Sequence, residues 1–139
     1  MKKMIRSVSL LLVLLLVLSL PVFSFAEPQL NHVTDAFGLL TAEQTTRLET
    51  QAAQIESQYG VGVYLIIVDD YTNYADANSI ARAADIFYDG YDLGCGVDHE
   101  GVLLVLSMSG RDYRIMIAGP LCERIFTDST LTSVENQFL

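Results

Sequence analysis

Two uninterrupted apolar runs, residues 61–68 and 102–108, stand on either side of a stretch whose apolar residues recur at helical spacing, and this pattern limits the fold more than any other. Short runs rich in β-branched residues suit strands buried on both faces. Between them, residues 76–88 carry Ile80, Ala84 and Phe87 on one face of a predicted helix. A strand–helix–strand crossover makes the two strands parallel, and such crossovers are right-handed. Ser109-Gly110 reads as a hairpin turn, which returns residues 113–118 as a third strand antiparallel to 102–108, and Gly119-Pro120 stops it. Upstream, Thr41 reads as an N-cap with Gln44 completing a capping box. Leu48, Ala52, Ile55 and Tyr59 follow at helical spacing, predicting a helix over 42–59 that ends before Gly60. Thr127 or Asp128 caps a last helix whose apolar stripe is Leu131, Val134 and Phe138. Residues 27–40 read as a polar lead-in, and 91–101 as a glycine-rich loop. The expected fold class is α/β: a small mixed β-sheet, with a parallel pair and an antiparallel hairpin, sandwiched between α-helices.

The N-terminus sets the compartment. Lys2, Lys3 and Arg6 precede a Leu- and Val-rich core over 8–20, Pro21 breaks it, and Ser24 and Ala26 supply the small residues of a cleavage site. Charged head, apolar core and small-residue exit predict a secretory signal peptide over 1–26. The remaining residues 27–139 form one domain, expected to be exported, secreted or held in the cell envelope on the outer face of the membrane. The whole chain carries a formal charge of −9. Residues 1–26 hold three cations and no acid, so cleavage leaves −12. Its only cations are then Arg47, Arg82, Arg111, Arg114 and Arg124. Such a surface repels nucleic acid and anionic lipid and favours cations or basic partners, which excludes nucleic-acid binding.

Parallel strands place the acids at two ends. Asp89, Asp92, Asp98, Glu100, Glu123 and Asp128 fall at one end of the sheet, and Asp69, Asp70, Asp76 and Asp112 at the other. Catalytic signatures are largely absent. Cys122 lacks the Arg of a cysteine phosphatase, Asp69-Asp70 lacks the second aspartate of an aspartyl-phosphate enzyme, and there is no nucleophile elbow or phosphate loop. The stretch 94–101 offers Asp98 and Glu100 among glycines, which suits the oxygen-rich shell of Ca²⁺ or another divalent cation, with Asp128 nearby. The alternative is a solvated acidic loop. The seven tyrosines suit either an interface or the rim of a small core. Cys95 and Cys122 fit no zinc spacing. If the hairpin centres on Gly110-Arg111, Gly101 lies opposite Pro120 and the two cysteines flank the open end, where a disulfide is a candidate. Closing that loop would be worth roughly 3 kcal/mol. Two separate thiols, one packed against the core, are the other outcome.

Several phrases resemble the TPM domain family, the module shared by a thylakoid lumen protein, a photosystem II accessory protein and a nematode receptor auxiliary protein. They are Val33-x-Asp35-x-x-Gly38-Leu39-Leu40-Thr41 with Glu43, then Gly60 to Val68, then Ala81 to Tyr88 leading into Leu93-Gly94. The most specific block is Glu100 to Met108, followed by Arg111, Ile115, Ile117, Gly119 and Phe126-Thr127-Asp128. The resemblance covers about 33–139 and implies an extracytoplasmic α/β domain, often tethered by a following transmembrane helix. It implies a divalent-cation binder, an accessory factor for a membrane complex, or an acid phosphatase, and it brings Asp35 beside Asp98, Glu100 and Asp128 as a candidate metal ligand. Glu100 stands where the family usually has Asn or Asp, and Pro120 follows Gly119 in place of a second glycine. The family continues for a further helix, so the domain is expected to be incomplete at its C-terminus. The expected function is a binding or accessory module acting through its acidic loop end; a weak metal-dependent phosphatase using the same carboxylates is the alternative.

Overall fold

A computed structural model of the chain describes residues 30–74 and 76–138, and the expected signal peptide lies outside them. The elements run β1 (Val33–Asp35), α1 (Ala42–Tyr59), β2 (Gly62–Val68), α2 (Ile80–Gly90), β3 (Gly101–Ser107), β4 (Asp112–Ala118), α3 (Pro120–Ile125) and α4 (Asp128–Phe138), with one 3₁₀ turn at Tyr71–Asn73. The four strands form one sheet in the order β1-β2-β3-β4. β1, β2 and β3 are mutually parallel and β4 is antiparallel to β3. The expected mixed α/β sheet with helices packed against it is therefore present.

Local chemistry explains the boundaries. The Thr41 hydroxyl accepts from the Gln44 amide while the Gln44 side chain accepts from the Thr41 amide, so the capping box expected from the sequence closes. Gly60 ends α1 in the left-handed region at φ 66° and donates to the Glu56 carbonyl. α2 begins at Ile80, one turn later than 76, because the Ser79 side chain accepts from Arg82 N–H and starts the helix there. Two elements lie where loop was expected. β1 is made by pairing with Leu65, Ile66 and Ile67. α3 begins on Pro120, which at the first helical position gives up only an N–H that would have no partner within the helix. The hairpin register also differs, since Gly101 faces Ala118 and the turn centres on Ser109-Gly110.

Alternation along the strands assigns the two faces. Ile66 and Val68 of β2 and Leu103 and Val105 of β3 pack with Ile80, Ala83, Ala84 and Phe87 of α2. Val63 and Leu65 point the other way, towards Leu48, Ala52 and Ile55 of α1. The helices thus cover opposite faces, although both crossovers step in the same direction across the sheet. Two right-handed crossovers would put both helices on one face, so one of these is left-handed, against the strong general preference.

The sheet's outer edges are partly sealed. The bonds Gly62 N–H to Glu100 and Met108 N–H to Val68 direct the even-numbered backbone groups of β3 towards β2. Its odd-numbered residues therefore bond β4, and the odd-numbered groups of β4 point outwards. Of these, Tyr113 N–H donates to the Asp112 carboxylate. On the opposite edge, Val33 N–H donates to Glu49 Oε1 from α1 at 2.8 Å.

Candidate functional site

The loop joining α2 to β3 organises the end of the sheet where β2 and β3 begin. Four of its residues lie at positive φ: Asp92 (51°), Gly94 (96°), Gly96 (68°) and His99 (48°). Side chains held in that region carry strain, so the surroundings must impose it. Leu93 N–H donates to the Tyr88 carbonyl, and Tyr88 Oη donates to the His99 carbonyl at 2.8 Å. Gly94 N–H donates to Tyr64 Oη at 3.2 Å. Cys95 and Glu100 exchange both backbone bonds, at 3.0 and 2.9 Å. Burial pushes the Tyr64 and Tyr88 phenols up from their ordinary range, so both remain protonated hydrogen-bonding groups.

Glu100 is a helix cap. Its two carboxylate oxygens accept from Leu121 N–H at 2.8 Å and Cys122 N–H at 2.9 Å, at the start of α3, which has no local side-chain cap. Desolvation alone would raise its pKa, but the Leu121 and Cys122 amides, the Cys122 thiol and the Arg124 charge outweigh it and hold the carboxyl below the usual range. A lowered carboxyl stabilises the fold above the ordinary glutamate range, and that stabilisation drains away as pH falls through the lowered value. Thermal melts should show Glu100→Gln below wild type at pH 7, with the gap closing as pH falls below the ordinary glutamate range. A gap that is constant with pH would mean that the ionised carboxylate is not what caps α3.

The proposed cation ligands are not assembled. Asp35 is level with Ile67 and Leu106, six residues along β3 from Glu100 or roughly 20 Å at about 3.3 Å per residue. Its carboxylate instead closes the turn before α1, accepting from Gly38 N–H at 2.8 Å and Leu40 N–H at 2.7 Å. Asp98 is exposed on the loop and Asp128 opens α4, also exposed. Among the described residues, no three His, Cys, Asp or Glu side chains gather closely enough to hold a metal ion. The residues present therefore do not fit the cation site that the resemblance implies. Cys95 and Cys122 are free, and Cys122 is fully buried. Burial first, then Glu56 beside Cys95 and Glu100 beside Cys122, pushes both thiols up to about 11, which leaves neither as a thiolate nucleophile at neutral pH.

The site that sequence reasoning missed lies under the same loop. His32 stacks on Tyr64 with ring centroids 5.3 Å apart. Its Nδ1 lies 3.0 Å from the Val63 carbonyl and its Nε2 3.0 Å from Glu56 Oε2. His32 thereby ties the lead-in of β1 to α1 and β2. Beside this pair opens a polar cavity of about 170 Å³ lined by His32, Glu56, Tyr64, Tyr91 and Asp92, together with Leu30, Leu93 and Gly94. On the far side of the same pair lies an apolar cleft of about 190 Å³ under α1, walled by Leu48, Ala52, Ile55, Val63 and Leu65.

Oxygen acceptors, two aromatic rings and a braced loop make this end suited to holding a ligand, while the thiols and the capping carboxylate serve the fold. A comparison with curated proteins returns no match. A family model, that of the TPM domain, matches residues 33–139, taking in every strand and helix described above. The chain belongs to the TPM domain family.

Proposed function

We propose that this TPM domain is an exported binding or accessory module that engages a protein partner through the loop end of its sheet. The observation that carries the reading is the polar cavity under residues 91–94, where two carboxylates and two tyrosines face one space. The loop above it is held by bonds from β2 and α2 and by the Cys95–Glu100 pair within it before any ligand arrives, so little ordering entropy remains to oppose binding. The strongly acidic composition supports a basic partner, and the signal-like N-terminus supports a place outside the cytoplasm.

Hydrolysis of a chromogenic phosphate ester, with and without millimolar calcium or magnesium, tests this against the phosphatase alternative. The expected result is no turnover that survives re-purification and depends on Asp98. Metal-dependent hydrolysis lost in Asp98→Asn would replace the binding reading with a phosphatase.

A further inference from the structure

The apolar cleft and the polar cavity meet at one wall, the His32–Tyr64 stack, which lines both. Each volume, about 190 and about 170 Å³, is below the ~300–1,000 Å³ of pockets that enclose a whole drug-sized ligand, and is of a size for one side chain. Their linings differ in kind. The cleft presents Leu48, Ala52, Ile55, Val63 and Leu65. The cavity presents Glu56 and Asp92, whose side chains are 43% and 73% exposed and so reachable from solvent. Glu56 is held on one oxygen by His32. Among the described residues the Asp92 carboxylate makes one ion-pair contact, to His99 Nδ1 at 3.6 Å, too long for a good hydrogen bond, which leaves its charge available to a guest.

We infer that the two cavities form one docking site for an exposed segment of a partner protein that carries an aliphatic side chain next to an arginine or lysine. The aliphatic side chain fills the cleft under α1. The basic one crosses the His32–Tyr64 wall and lies along the Tyr91 ring, within reach of Asp92 and Glu56. An aromatic face and a carboxylate together hold a guanidinium better than either alone. Charge complementarity selects the occupant: a segment bearing the opposite sign meets a domain with few cations, none of them lining either cavity. The inference rests on the proposed binding role and gives it a partner chemistry.

The test uses the purified chain and the probe peptide acetyl-Ala-Leu-Arg-Ala-amide, followed through backbone amide NMR shifts. Binding should move Val63 and Leu65 on one side of the wall and Glu56 and Gly94 on the other, and should weaken as salt is added. Replacing the probe's leucine by alanine should abolish the Val63 and Leu65 shifts. Replacing its arginine by glutamate should cost at least tenfold in affinity. Asp92→Asn, at an exposed position, should weaken the arginine probe several-fold without changing the melting temperature. Equal binding of the glutamate probe, shifts confined to Glu56 and Gly94, or no binding at millimolar probe would each overturn the inference. Shifts at the same residues on raising protein concentration alone would overturn it too, by making a second copy the occupant. No phosphate ester or metal enters this experiment, so its failure leaves the binding role standing, whereas Asp98-dependent hydrolysis would end that role whatever the peptide does.

Discussion

Gly94→Ala should lower the melting temperature by roughly 15 °C, the equivalent of about 3 kcal/mol in a domain of this size. Two effects add. The φ of 96° is one that side chains rarely adopt, and a Cβ there would sit 2.5 Å from the His99 carbonyl and 2.6 Å from Tyr88 Oη. Neither can withdraw cheaply. The Tyr88 hydroxyl and the His99 carbonyl bond each other, and Tyr88 is buried in the core. Gly96 provides the control, because it lies at φ 68° in the same loop with nothing within 4 Å of its would-be Cβ. Gly96→Ala should therefore cost only the backbone term, about 1 kcal/mol. Equal losses in the two variants, read by thermal melts, would show that the loop is not packed against Tyr88 as described.

The second large effect concerns the layering of the sheet. Leu103 is fully buried at the centre of β3, facing α2, and Leu103→Ala should cost about 4 kcal/mol, as truncation inside a close-packed core leaves a cavity. Leu104 is the next residue along, faces the opposite side and is only half-buried. Leu104→Ala should cost about 1–2 kcal/mol, little more than the lost transfer energy. Denaturant unfolding of the pair measures the contrast directly. Similar losses would mean that both faces of β3 are equally enclosed.

How far the sequence could be read depended on the range of the interactions involved. The capping box at Thr41 and Gln44, the helix it starts and the three longer strands were legible because their signals are local or periodic. β1 was not, because three residues of mixed polarity have no period, and only pairing with β2 makes Val33–Asp35 a strand. α3 was missed through Pro120, which ends one element and begins the next with the same ring. Glu100 was recognised as special, but its capping of α3 was not foreseen. The clue was a helix opening on Gly119-Pro120 with no polar residue to cap it, which calls for an acceptor from elsewhere in the chain. The cavity was beyond reach for a related reason. His32 finds its partners at Val63 and Glu56, far along the chain, and no spacing rule joins them. Helices on both faces were expected, but the left-handed crossover this requires was hidden, since the handedness rule argues against it.

The two acids on the sheet's margins, Asp112 and Glu49, have a consequence for how copies of this protein treat one another. An unsealed strand margin is a template on which a second chain can crystallise its own backbone, and growth of that kind leads to fibrils. Here each margin has one amide already occupied by a carboxylate, which also sets a negative charge where an incoming strand would have to lie. No described residue accepts from the outward amides of Ile115 and Ile117, so that short length of β4 is where polymerisation would begin. Losing the Asp112 carboxylate, as in Asp112→Ala, would remove the nearest guard while the apolar flank of β4 stays in place. The protein's resistance to edge-to-edge association would thus rest on very few side chains.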